Sequence, residues 1–271
     1  MIKARIAISM QLCVLGIFVA LVDVCNNNTS AYAHNFSPNS LSTFISLAHE
    51  ADVELSLANS NFPSNITLAL DHSKNAVKLM DDAYYSDDDI IDDIDFVRKY
   101  NEALNSRNTT IQALVVANIV DQILREYGEA FDIQYDLTNM SNMAMMGGVN
   151  PSSMVMSSTL NDNNNARMNM PMNSNIEAEE KNNYTNIVNI DNYQSAQKLS
   201  EKAYQVFKNQ LRPLAASSNN ANQTAIIMVE KSLLDLNYLI NNKASAQDIM
   251  GLVHGKLHLS LQLAYDLKIK Q

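Results

Sequence analysis

Tryptophan is absent from this chain, and only two cysteines occur, Cys13 and Cys25, both near the start. Neither can form a disulfide within the rest of the protein, so the fold must be held by its apolar core. The roughly 240 residues that follow position 33 suffice for one or two domains. Glycine (6) and proline (5) are scarce, and four of these eleven punctuating residues (Gly147, Gly148, Pro151 and Pro171) fall in a single stretch. The remainder therefore offers few points at which long helices would be interrupted. Cations are few as well, with a formal net charge of -10. Such a balance excludes nucleic acid and anionic lipid as natural partners.

The first 33 residues read as a secretion signal. Lys3 and Arg5 precede an almost continuous apolar run over 6–24, and Ala31-Tyr32-Ala33 fits the small-x-small cleavage pattern. Removal would make His34 the first residue and bring the net charge to about -11, since Lys3, Arg5 and Asp23 leave together. If the run were instead retained, at nearly the ~20 residues of a span, it would anchor the chain in a membrane; with cleavage, no lasting span is expected. Cys25 as a lipidation site fits less well, because Val22-Asp23-Val24 lacks small residues before it. Sequons at Asn27, Asn28, Asn65, Asn108, Asn139, Asn183 and Asn222 make a glycoprotein one expectation for an exported chain, and chance in an Asn-rich sequence the other.

Apolar residues recur at three-and-four spacing in seven segments. The first four are 41–59 (Phe44, Leu47, Ala51, Leu55), 66–83 (Leu70, Ala76, Met80), 86–104 (Ile90, Ile94, Val97) and about 108–130. In the last of these, Ala113, Val116, Val120, Ile123, Tyr127 and Ala130 hold a heptad seam widened by Leu114, Val115, Ile119 and Leu124. It is the expected most buried element of the first half. The other three are 190–211, ended by Pro213, then 222–240, and a segment from Ser245 to about position 268. Ser86 followed by Asp87, Asp88 and Asp89 predicts the start of the third helix. The expectation is an all-α, antiparallel helical bundle, with about seven helices in two halves, 34–136 and 190–271. A disordered Met/Asn-rich linker over 137–189 joins them, and whether they make one bundle or two stays open.

That linker carries nine of the 14 methionines: Met140, Met143, Met145, Met146, Met154, Met156, Met168, Met170 and Met172. Thioethers are soft neutral ligands suited to Cu(I), and they survive an oxidising compartment where thiols would not. M-x-M and M-x-x-M spacings can bring two or three sulfurs to one ion. A spacer, or an adhesive surface for apolar partners, is the other reading. In composition the stretch resembles the methionine-rich segments of extracytoplasmic copper-handling proteins.

Histidine supplies further candidates. His254 and His258 stand four apart on one helical face and could chelate an ion, but Gly255 occupies the place of the zinc-protease glutamate, so hydrolysis of that kind is not supported. A position at the edge of the buried stripe is their plainer account. His34, as a free terminus, would offer amine and ring to copper. His49 and His72 fall on the two arms of a helical hairpin and could meet, with Glu50 and Asp71 near them; the Glu-x-x-His pairs of a ferritin-type di-iron site are missing. Asp81, Asp82, Asp87, Asp88, Asp89, Asp92, Asp93 and Asp95 do not match an EF-hand, and a solvated helix face is the simpler reading.

No phosphate-binding glycine loop, G-x-S-x-G elbow or C-x-x-C-H motif is present, so no enzyme class is indicated. The segments 117–127 (ANIVDQILREY) and 253–258 (VHGKLH) resemble parts of uncharacterised secreted helical proteins of ammonia-oxidising archaea. That resemblance implies an archaeal cell envelope, where copper enzymes are common, and no activity. The expected function is a secreted, non-enzymatic protein binding Cu(I) through its linker. The alternative is a cell-envelope structural or interaction module that contacts envelope proteins and uses the linker only as a tether.

Overall fold

The structure, a computed structural model of the chain, describes residues 36, 39–86, 93–104, 106–139, 186–216 and 222–268. These residues form seven helices and no extended strand, as the periodicity requires. They are α1 (Ser40–Asn61), α2 (Ile66–Tyr85), α3 (Asp93–Leu104), α4 (Thr109–Ala130), α5 (190–216), α6 (Gln223–Asn241) and α7 (246–265).

Asparagine abundance has a local cause at the helix starts. Asn39, Asn65, Asn108, Asn189 and Asn222 are the N-caps of α1, α2, α4, α5 and α6, and each side chain accepts a hydrogen bond from a backbone N–H in the first turn. Three of the sequons, at Asn65, Asn108 and Asn222, are therefore also capping signals. Ser245 caps α7 in the same way and bonds Asp248. Ser86, by contrast, ends α2: its Oγ donates to the Ala83 carbonyl. The remainder of the expected start of the next helix, Asp87 to Asp89, lies outside the described residues, and α3 is described from Asp93.

The two halves share one core. Phe44, Val116, Ile119 and Tyr127 belong to the same buried cluster as Leu199, Phe207, Leu233 and Leu257. α1 packs chiefly on α2, and α4 chiefly on α5; α5 in turn meets α6, and α6 meets α7, which returns to α4. α4 is buried along most of its length, in agreement with its widened seam. Hydrogen bonds cross between the halves as well: the Tyr127 hydroxyl donates to the Ala244 carbonyl (2.7 Å) and Asn75 Nδ2 to Asp191 Oδ2 (2.9 Å).

Pro213 does not end α5. A π turn over Phe207–Leu211 precedes it, in which the Arg212 N–H donates to the Phe207 carbonyl, and α-helix resumes over Arg212–Ala216. The ladder is already interrupted where the residue lacking an N–H arrives, so the helix carries on past it. A second π turn, Val253–Leu257, lies within α7.

Candidate metal centre

Pro63 lies in the turn between α1 and α2, and nine residues to either side of it stand Glu54 and His72. Equal arms of an antiparallel hairpin put these two level, and they meet: His72 Nδ1 donates to Glu54 Oε2 at 2.8 Å. His49, the expected partner, is five residues farther from the turn, an offset of about 7.5 Å along a helix. It is buried elsewhere, with its pKa lowered to about 4 by burial and by the Lys202 charge. Asp71 pairs instead with exposed Lys74. Of the residues expected to meet on this hairpin, His72 belongs to the cluster, and His49, Glu50 and Asp71 do not.

The third member comes from the other half. Asn189 caps α5 and fixes its first turn, where Asp191 complements the positive helix end. Asp191 Oδ1 lies 2.8 Å from the same His72 Nδ1. One Nδ1–H cannot point at two oxygens; it is aligned with Glu54, which leaves Asp191 Oδ1 near the proton but without a hydrogen bond. The outer atoms of all three groups are engaged. His72 Nε2 donates to Gln194 Oε1 (3.1 Å), which also accepts from Asn61 Nδ2 (2.8 Å). Ser195 Oγ donates to Glu54 Oε1, and Asn75 Nδ2 donates to Asp191 Oδ2 (2.9 Å).

His72 is fully buried, and burial alone would lower its pKa; the carboxylates of Asp191 and Glu54, both 2.8 Å from Nδ1, outweigh that and raise it to about 10. The ring is therefore an imidazolium at neutral pH, donating from both nitrogens. Around it the acids behave oppositely. Glu50, one turn before Glu54 on α1, is 1% exposed, and neither of its oxygens meets a hydrogen-bond donor among the described residues. Burial pushes its pKa up to about 8, Arg125 opposes this, and Glu126 and Glu54 add to it. Glu126 on α4 accepts from Gln122 Nε2 (2.6 Å) and is also pushed up to about 8, by burial first and then by Glu54, Glu129 and Asp191. Chemically, the cluster brings one imidazole nitrogen and two carboxylate oxygens together amid further carboxyl groups.

The other expected ligands are placed as follows. His254 and His258 are brought together, with ring centroids 5.3 Å apart, and both are buried. An edge position is thus corrected, because the π turn turns Val253, His254 and Leu257 inward together. His254 Nε2 donates to the Leu137 carbonyl (2.8 Å), and His258 Nε2 lies 3.4 Å from Asp121 Oδ1. Burial and the neighbouring His254 hold the His258 pKa down at about 3, so its ring is neutral. His34 and the nine methionines Met140, Met143, Met145, Met146, Met154, Met156, Met168, Met170 and Met172 lie outside the described residues, as do positions 87–92 of the aspartate run.

Among the described residues, Glu54, His72 and Asp191 are the one group of three His, Cys, Asp or Glu side chains whose ligand atoms all fall within 4.8 Å of one another. The hairpin register could have singled out Glu54 opposite His72. Nothing local could have attached Asp191, which is 119 positions beyond His72 in sequence. No described helix is long and apolar enough to cross a membrane. Among known proteins, no family model, no curated protein and no solved structure matches this chain.

Proposed function

We propose that this chain is a non-enzymatic metal-binding protein of the cell exterior, whose methionine-rich segment takes up Cu(I) while the helical body carries it. The observation that supports this reading best is where the segment is attached. On its near side Leu137 and Thr138 are buried, and the Leu137 carbonyl is held by His254. On its far side the N–H groups of Val188 and Asn189 donate to the Ala130 carbonyl (2.9 and 3.2 Å) at the end of α4. Both attachments are on one shared core. A tether between separately docking halves has no need of that arrangement, whereas a ligand-bearing segment carried by one body does. The apolar run and cleavage pattern before His34 support export, and the thioether chemistry supports a soft ion.

Competition of the full chain against a Cu(I) chelator tests this. The native protein is expected to withdraw copper from the chelator, and replacement of the nine methionines by leucine to abolish the withdrawal. Equal, weak uptake by both proteins would eliminate the reading.

A second reading, an envelope interaction module, is favoured by one observation. Ile227, Leu234 and Tyr238 are exposed along one stripe of α6. Charge substitutions there that abolish recovery of the protein with the envelope fraction, while copper uptake persists, would favour docking.

A further inference from the structure

We infer that Glu54, His72 and Asp191 form a binding site for a divalent cation of intermediate hardness, such as Zn²⁺ or Mn²⁺, separate from the methionine segment.

The ligand set is the first ground. One imidazole nitrogen and two carboxylate oxygens suit such ions and not Cu(I), which prefers sulfur. Spacing is the second. Ligand atoms about 2.1 Å from an ion lie about 3.0 Å from one another at octahedral angles and about 3.4 Å at tetrahedral ones. Both carboxylate oxygens are 2.8 Å from His72 Nδ1, so only a few tenths of an ångström of opening is required.

The third ground is the support behind each ligand. Metal-binding histidines characteristically donate their second nitrogen to an oxygen that orients the ring, and ligating carboxylates are held by hydrogen bonds of their own. Here Gln194 holds His72, Ser195 holds Glu54, and Asn75 holds Asp191, each through the atom facing away from the centre. Asn61 in turn fixes the Gln194 amide. Three ligand atoms are thereby left converging, and Asp191 Oδ1 among them has no hydrogen bond.

Charge is the fourth ground. The side chains of Glu54, Asp191, Glu126 and Glu129 act on one another across this region, with Arg125 as the neighbouring cation. A dication would redress that balance. It would bind the deprotonated Nδ1, in the position now taken by the Nδ1 proton.

The ligands come from α1, α2 and α5, so the ion would join the N-terminal hairpin to the first turn after the methionine segment. The test uses the full chain with its nine segment methionines changed to leucine, so that loss of soft-metal binding has no bearing on the result. Calorimetric titration with Zn²⁺ is expected to show one tight equivalent. In the E54Q/D191N variant that equivalent is expected to weaken at least tenfold, while in H254A it persists. Absence of a saturable equivalent, or one unmoved by E54Q/D191N, would mean that the triad is a structural ion pair and would overturn the site. Should E54Q/D191N fail to fold by circular dichroism, X-ray absorption of the one-equivalent zinc complex of the parent protein decides. One imidazole with oxygen ligands supports the site, and sulfur or several imidazoles overturn it.

Discussion

Tyr127 and Ala244, 117 positions apart, are joined by a hydrogen bond of 2.7 Å between a fully buried hydroxyl and a backbone carbonyl. The first belongs to α4 and the second to the turn between α6 and α7, so the contact ties the two halves across the core. Tyr127→Phe keeps the ring and removes the donor, leaving the carbonyl unsatisfied, at a cost of about 1–3 kcal/mol. Urea denaturation should give a lower midpoint with one cooperative transition, the same by circular dichroism and by tyrosine fluorescence. Two separate transitions would contradict a shared core.

Stability should depend on pH in a way set by buried groups of opposite kinds. Glu50 and Glu126, raised from 4.5 to about 8, stay protonated in the fold while the unfolded chain ionises, so each subtracts stability as pH rises from about 4.5 to about 8. His72, raised from 6.5 to about 10, contributes stability that is fully present below 6.5 and lost as pH rises toward 10. His49 and His258, lowered to about 4 and about 3, stay neutral in the fold and subtract stability as pH falls below 6.5. Between 4.5 and 6.5 the two glutamates and these two histidines have opposed slopes. The melting temperature in chelator-containing buffer should therefore be nearly flat there and fall on both sides. Glu50→Gln should make the alkaline fall shallower; an unchanged profile would show that Glu50 is ionised in the fold.

Asn65, Asn108 and Asn222 stand both in sequons and at helix caps, and substitution separates the two roles. Asn108→Ala removes the acceptor for the Ile111 N–H and should cost about 1 kcal/mol. Asn108→Asp abolishes the sequon equally but keeps an acceptor, so thermal stability of the unglycosylated protein should stay near native. Equal losses in both variants would refute the capping role.

The helices were legible because their signals are local: three-and-four spacing, Asn or Ser at the starts, and few breakers between them. The candidate site was only half legible. His72 could be suspected, since it sits on a hairpin arm, but pairing it with His49 overlooked the turn position that sets Glu54 opposite. Asp191 could not be found at all, because its place in the centre follows from α5 packing beside that hairpin, after a long intervening stretch. In sequence it reads as an ordinary acid in a first turn. His254 and His258 were correctly paired, but their depth depended on a π turn that three-and-four spacing does not announce.

The two wide turns share a pattern visible once they are aligned. Ala203, Phe207, Leu211 and Ala215 are buried at intervals of four, and so are Val253, Leu257, Leu261 and Tyr265. In an unbroken α-helix each such interval overshoots a full revolution by about 40°, so a row spaced this way spirals around the rod. One loosened turn in each helix takes back part of that overshoot. Both rows stay buried in the interior over four successive positions.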